Sequence, residues 1–217
     1  MLTAYWAAKG GAGATVLATA HALVASTRGA TVVVDLDGDL PAALGADATD
    51  RPGVAEWLRA GPDVPVDALD RLLVPVAEDL LLLPRGTGPL DEGRATVLAR
   101  LLADSPREVV VDAGTRPDPA ARAVVRHADR SVLVTRACYL ALRRLHAVGL
   151  APTEVALVRE PNRALGPTDI AAAVGVPVRT TVGIDPGIAR AVDAGLLAAR
   201  LPRSLARAAT AVHRLGR

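Results

Sequence analysis

The stretch AAKGGAGATV, residues 7–16, sits between an apolar run and an alanine-rich segment of helical character. Gly10, Gly11 and Gly13 allow a backbone to curl with its N–H groups inward and to approach an anion closely. In the pattern G-x-x-x-x-G-K-[ST] the lysine reaches the β- and γ-phosphates of a nucleotide and the hydroxyl holds Mg²⁺. Thr15 keeps that hydroxyl, whereas the lysine position is Ala14. The segment therefore reads as a phosphate cradle that has lost its ammonium. A helix starting near Ala14 adds a positive N-terminal dipole.

Outward from this loop, short β-branched runs alternate with alanine-rich helical stretches, the rhythm of parallel βαβ units. Strands are expected at 2–8, 31–37, 79–84, 108–114, 131–137, 154–160 and 178–184. Their near-continuous apolar character suits strands buried on both faces. Helices are expected at about 14–27, 53–60, 91–104, 118–127, 139–148, 167–174, 186–194 and 203–215. The fold class is α/β: a doubly wound, mainly parallel sheet with helices on both faces. Segment 38–78 is the least regular and reads as connections, with Trp57 as a packing anchor.

Composition sets limits on function. At 217 residues and 51% hydrophobic content, 1–217 is expected to form a single nucleotide-binding domain. One cysteine, Cys138, excludes an internal disulfide, and no Cys/His spacing offers metal ligands, so a cytoplasmic setting is expected. No stretch approaches the roughly 20 apolar residues of a membrane span. Of the 25 basic residues one is lysine, and it is Lys9, inside the glycine loop. An ammonium is a compact point charge where a guanidinium is a planar fork, so this placement marks Lys9 as a residue arginine does not replace.

Polar residues collect at strand ends, where ligands of open parallel sheets bind. The second strand ends DLDGD, with Asp35, Asp37 and Asp39; the fourth expected strand, VVVDAG, ends in Asp112, a carboxylate placed to orient a metal ion together with Thr15. Two plainer readings stay open. The three aspartates also suit helix capping or turns, and Asp112-Ala113-Gly114 also suits an ordinary strand-end turn. His21, His127, His146 and His213 show no mutual spacing and read as surface or packing residues. Cys138, at a helix start, reads as structural.

KGGAGAT after an apolar strand, then VVVDLDGDLPAALG, VVVDAG, VLVTRACYLALRRL and VGIDPGIARAVDAGLL, resemble in matching order the deviant Walker A ATPases of the ParA/MinD type over nearly the whole chain. The resemblance implies a Mg·ATP- or Mg·ADP-binding switch that closes into a homodimer. In it Lys9 is the signature lysine reaching the partner subunit's nucleotide, Asp37 positions the attacking water, Asp35 stands near the metal, and Thr15 and Asp112 hold Mg²⁺. Gly10, Gly11, Ala12, Gly13, Ala14, Thr15 and Val16 cradle the phosphates, and Ile184-Asp185-Pro186 walls the base.

Three departures qualify it. Ala14 replaces the loop lysine, Val16 replaces a hydroxyl residue, and Arg159 stands where an adenine-reading asparagine is common. Losing one charge-assisted hydrogen bond to phosphate costs about 1.5–3 kcal/mol, with a larger toll on hydrolysis, so slow or absent turnover is expected. Lys9 is expected to restore a cation in trans. A pseudo-ATPase scaffold, similar to pilus-localisation proteins of the CpaE/TadZ type, is the alternative. A partner protein stimulating release or hydrolysis is a further expectation. The C-terminal helix carries an apolar stripe, Leu205, Ala208, Ala209, Val212 and Leu215, opposite Arg203, Arg207, Arg214 and Arg217, a face that suits solvent or nucleic-acid phosphates.

Overall fold

A computed structural model describes residues 1–48, 50–61 and 64–213. Leu2–Ala7 (β1) is fully buried and leads through the glycine loop into Ala14–Ser26 (α1). Thr31–Asp35 (β2) is followed by Leu40–Leu44 (α2) and Val54–Arg59 (α3), then by the hairpin Val74–Ala77 (β3) and Leu80–Leu83 (β4). Ala95–Ala103 (α4), Glu108–Thr115 (β5), Pro119–His127 (α5), Arg130–Arg136 (β6) and Tyr139–Val148 (α6) come next. Glu154–Arg159 (β7), Pro167–Val174 (α7), Val178–Gly183 (β8), Pro186–Asp193 (α8) and Arg203–His213 (α9) complete the described chain.

The eight strands form one sheet in the order β3-β4-β2-β5-β1-β6-β7-β8, parallel except for the β3–β4 pair. The valine runs explain why both faces need cover. Alternate residues point to opposite sides, so Val109 and Val111 of β5 enter one apolar cluster and Val110 the other. The first cluster is completed by α3, α4, α5, α6 and Ile170 of α7; the second by α1, α2 and α9. The doubly wound α/β sheet expected from the sequence is the one found.

Two elements were not expected. β3 is a four-residue edge strand with alternating half-burial and Pro75, which edge positions tolerate because no second neighbour needs its N–H. α2 is only five residues, too short for periodicity to reveal; Pro41 opens it and left-handed Gly45 closes it. The helix expected over 91–104 is shorter, starting at Ala95. Trp57 is the expected anchor: it is buried, and the Arg94 guanidinium stacks 3.8 Å from its ring centre. No helix among the described residues is long and apolar enough to cross a membrane.

α9 buries Leu205, Ala208, Ala209 and Val212 and exposes Arg203 and Arg207, as its stripe predicts; Arg214, Leu215 and Arg217 lie outside the described residues. Its end is held from below. Arg130, buried at the start of β6, donates to the Val212 carbonyl and, through Nε at 2.7 Å, to Glu154 at the start of β7.

Candidate phosphate and metal site

β1 and β5 are adjacent and parallel, so the glycine loop after Ala7 and the end of β5 emerge side by side at the carboxyl edge of the sheet. Within the loop Gly11 and Gly13 adopt φ of +70° and +96°. These left-handed values are strained for other residues and turn the backbone inward. Gly13 is the N-cap of α1, whose first intrahelical bond runs from Leu17 N to Gly13 O at 3.1 Å. Ala14 is buried in the first turn, Ala12 is buried beside it, and Gly10 is exposed with nothing close to its Cα face. Val16, partly buried, packs against the α1-side core.

Beneath the loop lies Asp112, with no exposed surface. Its Oδ1 accepts from Gly114 N at 3.1 Å, while the buried Oδ2 has no hydrogen-bond partner among the described residues. Burial pushes this carboxyl up to about 7; the neighbouring charges of Asp35 and Asp37 act in the same direction, and the Thr15 side chain beside it opposes them. An orphaned, desolvated carboxylate facing a threonine hydroxyl, with two more carboxylates close by, is a donor set that fits a hard divalent cation such as Mg²⁺. Asp112 and Thr15 would hold it, and the ion would supply charge for phosphate oxygens.

The three aspartates of DLDGD separate by environment. Asp35 is fully buried and its carboxylate organises the turn: Oδ1 accepts from Asp37 N at 3.0 Å and Gly38 N at 2.7 Å, and Oδ2 from Leu40 N at 3.2 Å. Burial raises it to about 6 against those bonds. Asp37 lies at the surface end of the same turn, directly over Gly114, and partial burial followed by the Asp39 charge raises it. Asp39 is exposed and precedes α2 without capping it through its side chain. Asp35 thus acts through the turn, and Asp37 is the carboxylate presented toward the loop's surroundings.

On the other flank the structure gathers cations that spacing does not reveal. Lys9, partly exposed, lines a small recess with Gly10, Ala12, Arg136, Cys138, Ala141 and Arg163. A Cβ on Gly11 would stand 4.0 Å from Arg136 Nη2. Arg136 is anchored by Glu160 at 2.8 Å, and Glu160 also pairs with Arg163. Arg136 carries no local sequence signal because it reaches the loop from the end of β6, a neighbour of β1 only in the folded sheet. The Cys138 thiol is drawn down by the Ala141 amide and, more weakly, by Lys9 and Arg163.

The remaining candidates stand further along the edge. Arg159 ends β7, exposed, and its carbonyl accepts from Ile184 N at 3.2 Å; its neighbour Val158 comes within 3.9 Å of a Cβ built on Gly13. Asp185 caps α8, accepting from Gly187 N at 2.7 Å and from Ser204 Oγ at 3.1 Å. Its carboxylate therefore ties the start of α9 to α8, on the wall of an open cleft of about 810 Å³ that includes Leu196, Leu201 and Arg203.

No protein-family model matches the chain, and no curated protein matches it. Solved structures do. A ParA family ATPase from Chlorobium tepidum TLS has a TM-score of 0.79 at 19% identity, with 98% of each chain covered. The septum site-determining protein MinD from Pyrococcus horikoshii OT3, complexed with Mg-ADP, has a TM-score of 0.79 at 19% identity over 100% of this chain and 96% of that one. An ATP complex of an Asp-to-Ala variant of McdA from Cyanothece has a TM-score of 0.74 at 16% identity over 100% of this chain and 96% of that one. The chain has the fold of the ParA/MinD-type P-loop ATPases.

Proposed function

We propose that this chain is a nucleotide-dependent switch on the ParA/MinD fold: it binds Mg·ATP or Mg·ADP at residues 9–16, associates as a homodimer and positions a cellular cargo in the cytoplasm. The observation that carries the proposal is the buried, unpartnered Asp112 Oδ2 beside Thr15 under a glycine loop with two left-handed residues. A desolvated carboxylate without a partner costs stability unless a ligand needs it. Backbone amides, the α1 dipole and a Thr15/Asp112-held ion grip the polyphosphate, and Arg136 supplies a cation in cis on the side where Ala14 leaves none. Arg159 and Asp185 flank the base side.

Turnover is slow or absent, since Ala14 cannot follow the charge that grows on a transferred phosphoryl group. Lys9 makes no ion pair among the described residues, which leaves its ammonium available to a second copy's nucleotide. Asp37 orients the water where hydrolysis occurs, and a partner protein accelerates release. Contact of Arg203 and Arg207 with nucleic-acid phosphates belongs to the same proposal and would show as salt-sensitive DNA binding by the dimer.

Size-exclusion chromatography with light scattering, in Mg·ATP, Mg·ADP and no nucleotide, with phosphate release in parallel, is the test. Nucleotide-dependent dimers with little phosphate release support the switch. The specific observation favouring a second reading is Ala14 itself: a monomer in all three conditions with no nucleotide affinity would assign the chain to a pseudo-ATPase scaffold.

A further inference from the structure

A second group of chemistry-bearing side chains stands at the opposite end of the sheet from the glycine loop. Glu108 is the first residue of β5, paired with Thr31, the first residue of β2. His21 comes from α1 and His213 from the end of α9, 192 residues apart in sequence. The three meet as a closed triangle. His21 Nε2 lies 3.3 Å from His213 Nδ1 and 3.4 Å from Glu108 Oε1, and His213 Nδ1 lies 3.1 Å from the same oxygen. Both histidines are buried, and the Glu108 side chain is 20% exposed.

The triangle admits two kinds of arrangement, one hydrogen-bonded and one ligating. If both facing nitrogens carry protons, both donate to Glu108 Oε1, and the 3.3 Å between them is a contact without a bond. If His21 Nε2 donates to His213 Nδ1, that nitrogen has no proton left for the carboxylate and two lone pairs face each other across 3.1 Å. The reverse donation leaves His21 Nε2 against Glu108 in the same way. The one neutral-imidazole arrangement without facing lone pairs therefore places two donors on a single carboxylate oxygen. The ligating arrangement turns the lone pairs of all three atoms toward one cation, and the three ligand atoms lie within 4.8 Å of one another as that requires. Ligands at about 2.0–2.1 Å in a tetrahedron are separated by roughly 3.3–3.4 Å, close to the spacings found.

We infer that His21 Nε2, His213 Nδ1 and the Glu108 carboxylate form a binding site for a divalent metal ion of the zinc class, which ties α9 to α1 and β5. Two imidazoles and one carboxylate are the borderline donor set such ions take. The remaining nitrogen of His21 has an outer-shell partner: Nδ1 lies 3.0 Å from the buried Tyr5 hydroxyl, which accepts from its N–H when Nε2 ligates. The Arg130 guanidinium, whose charge reaches His21, is neutralised by Glu154 and engaged by the Val212 carbonyl. The exposed edge of Glu108 gives the ion a way in and a solvent ligand for its open position. Because the ligands come from three separate elements, binding free energy is folding free energy.

The experiment uses the untagged full-length chain, stripped with chelator and kept in excess Mg²⁺ so that Asp112 and Thr15 are not read. Zinc titration by calorimetry should give one ion per chain and a raised Tm, and Co²⁺ should give the intense visible bands of a four-coordinate site. Glu108→Gln and His213→Gln should each weaken zinc by about ten-fold or more, while Asp112→Asn leaves it unchanged. No saturable zinc binding at hundred-fold molar excess overturns the assignment, as does binding that survives both ligand variants or that Asp112→Asn removes. Should the variants not fold, the wild-type cobalt spectrum decides: weak six-coordinate bands overturn the site. Zinc binding with no nucleotide binding leaves this site standing while the switch falls.

Discussion

Asp37 rests in the space that Gly114 leaves open: a Cβ built on Gly114 would lie 2.2 Å from Asp37 Cγ, and Gly114 itself holds a φ of +67°. The end of β5 therefore does two things at once, presenting Asp112 to the loop and seating the carboxylate that comes over from β2. Gly114→Ala is expected to destabilise the fold by about 1–3 kcal/mol through backbone strain and to displace Asp37. Chemical denaturation measures the first effect and nucleotide titration the second. Unchanged stability would show that Asp37 is seated by something other than this contact.

Asp112 gives the apo chain a pH dependence of known sign. Its folded value of about 7 lies above its ordinary 3.8, so the folded state binds the extra proton. The cost of ionising it is absent below about pH 4, where both states are protonated, and grows as pH rises toward 7. Asp35, raised to about 6, acts in the same direction. His21, lowered by burial from 6.5, opposes both by removing stability as pH falls below that value. Asp112→Asn is therefore expected to raise the Tm of the nucleotide- and Mg²⁺-free chain at pH 8, with the gain shrinking toward pH 5. A constant gain at both pH values would mean that the carboxyl is not protonated in the fold.

The parts of this molecule legible in its sequence are the local ones. Near-continuous apolar runs locate seven of the strands because both faces of a parallel strand are apolar, and the glycine loop declares itself because its geometry needs glycine at fixed offsets. β3 escapes because an exposed edge strand with a proline carries neither signal. Arg136 escapes because β6 brings it to the loop from more than a hundred residues away, and its residue type is abundant in this chain. His21 and His213 read as unrelated packing histidines, since only the contact of α1 with α9 makes them neighbours. The aspartate turn was legible as chemistry but not as a division of labour. The bonds to three main-chain amides that make Asp35 a turn organiser are visible only once the chain is folded.

Ala14 and Lys9 make a paired prediction. Ala14→Lys is expected to tighten Mg·nucleotide binding by roughly ten- to hundred-fold, the worth of about 1.5–3 kcal/mol for one charged hydrogen bond. That gain should appear at any protein concentration, because the new ammonium acts in cis. Lys9→Ala should weaken binding only at concentrations where the chain dimerises. Isothermal titration at low and high protein concentration separates the two. Equal affinities for wild type and Lys9→Ala throughout would remove Lys9 from the partner's site.

Arg130 and Glu154 supply the last test, at the end of the sheet away from the glycine loop. Arg130 is 8% and Glu154 4% exposed, and the guanidinium also holds the α9 terminus through the Val212 carbonyl. A buried pair contributes little net stability, since desolvation offsets attraction, but removing one partner strands the other charge. Glu154→Gln is expected to cost roughly 3–5 kcal/mol for that reason. A second variant, Arg130→Met with Glu154→Leu, removes both charges and should recover much of the loss. If α9 is held mainly through Arg130, the double variant recovers core stability while protease digestion near α9 becomes faster. If digestion stays at the wild-type rate, the apolar face of Leu205, Ala209 and Val212 is sufficient by itself to hold the helix.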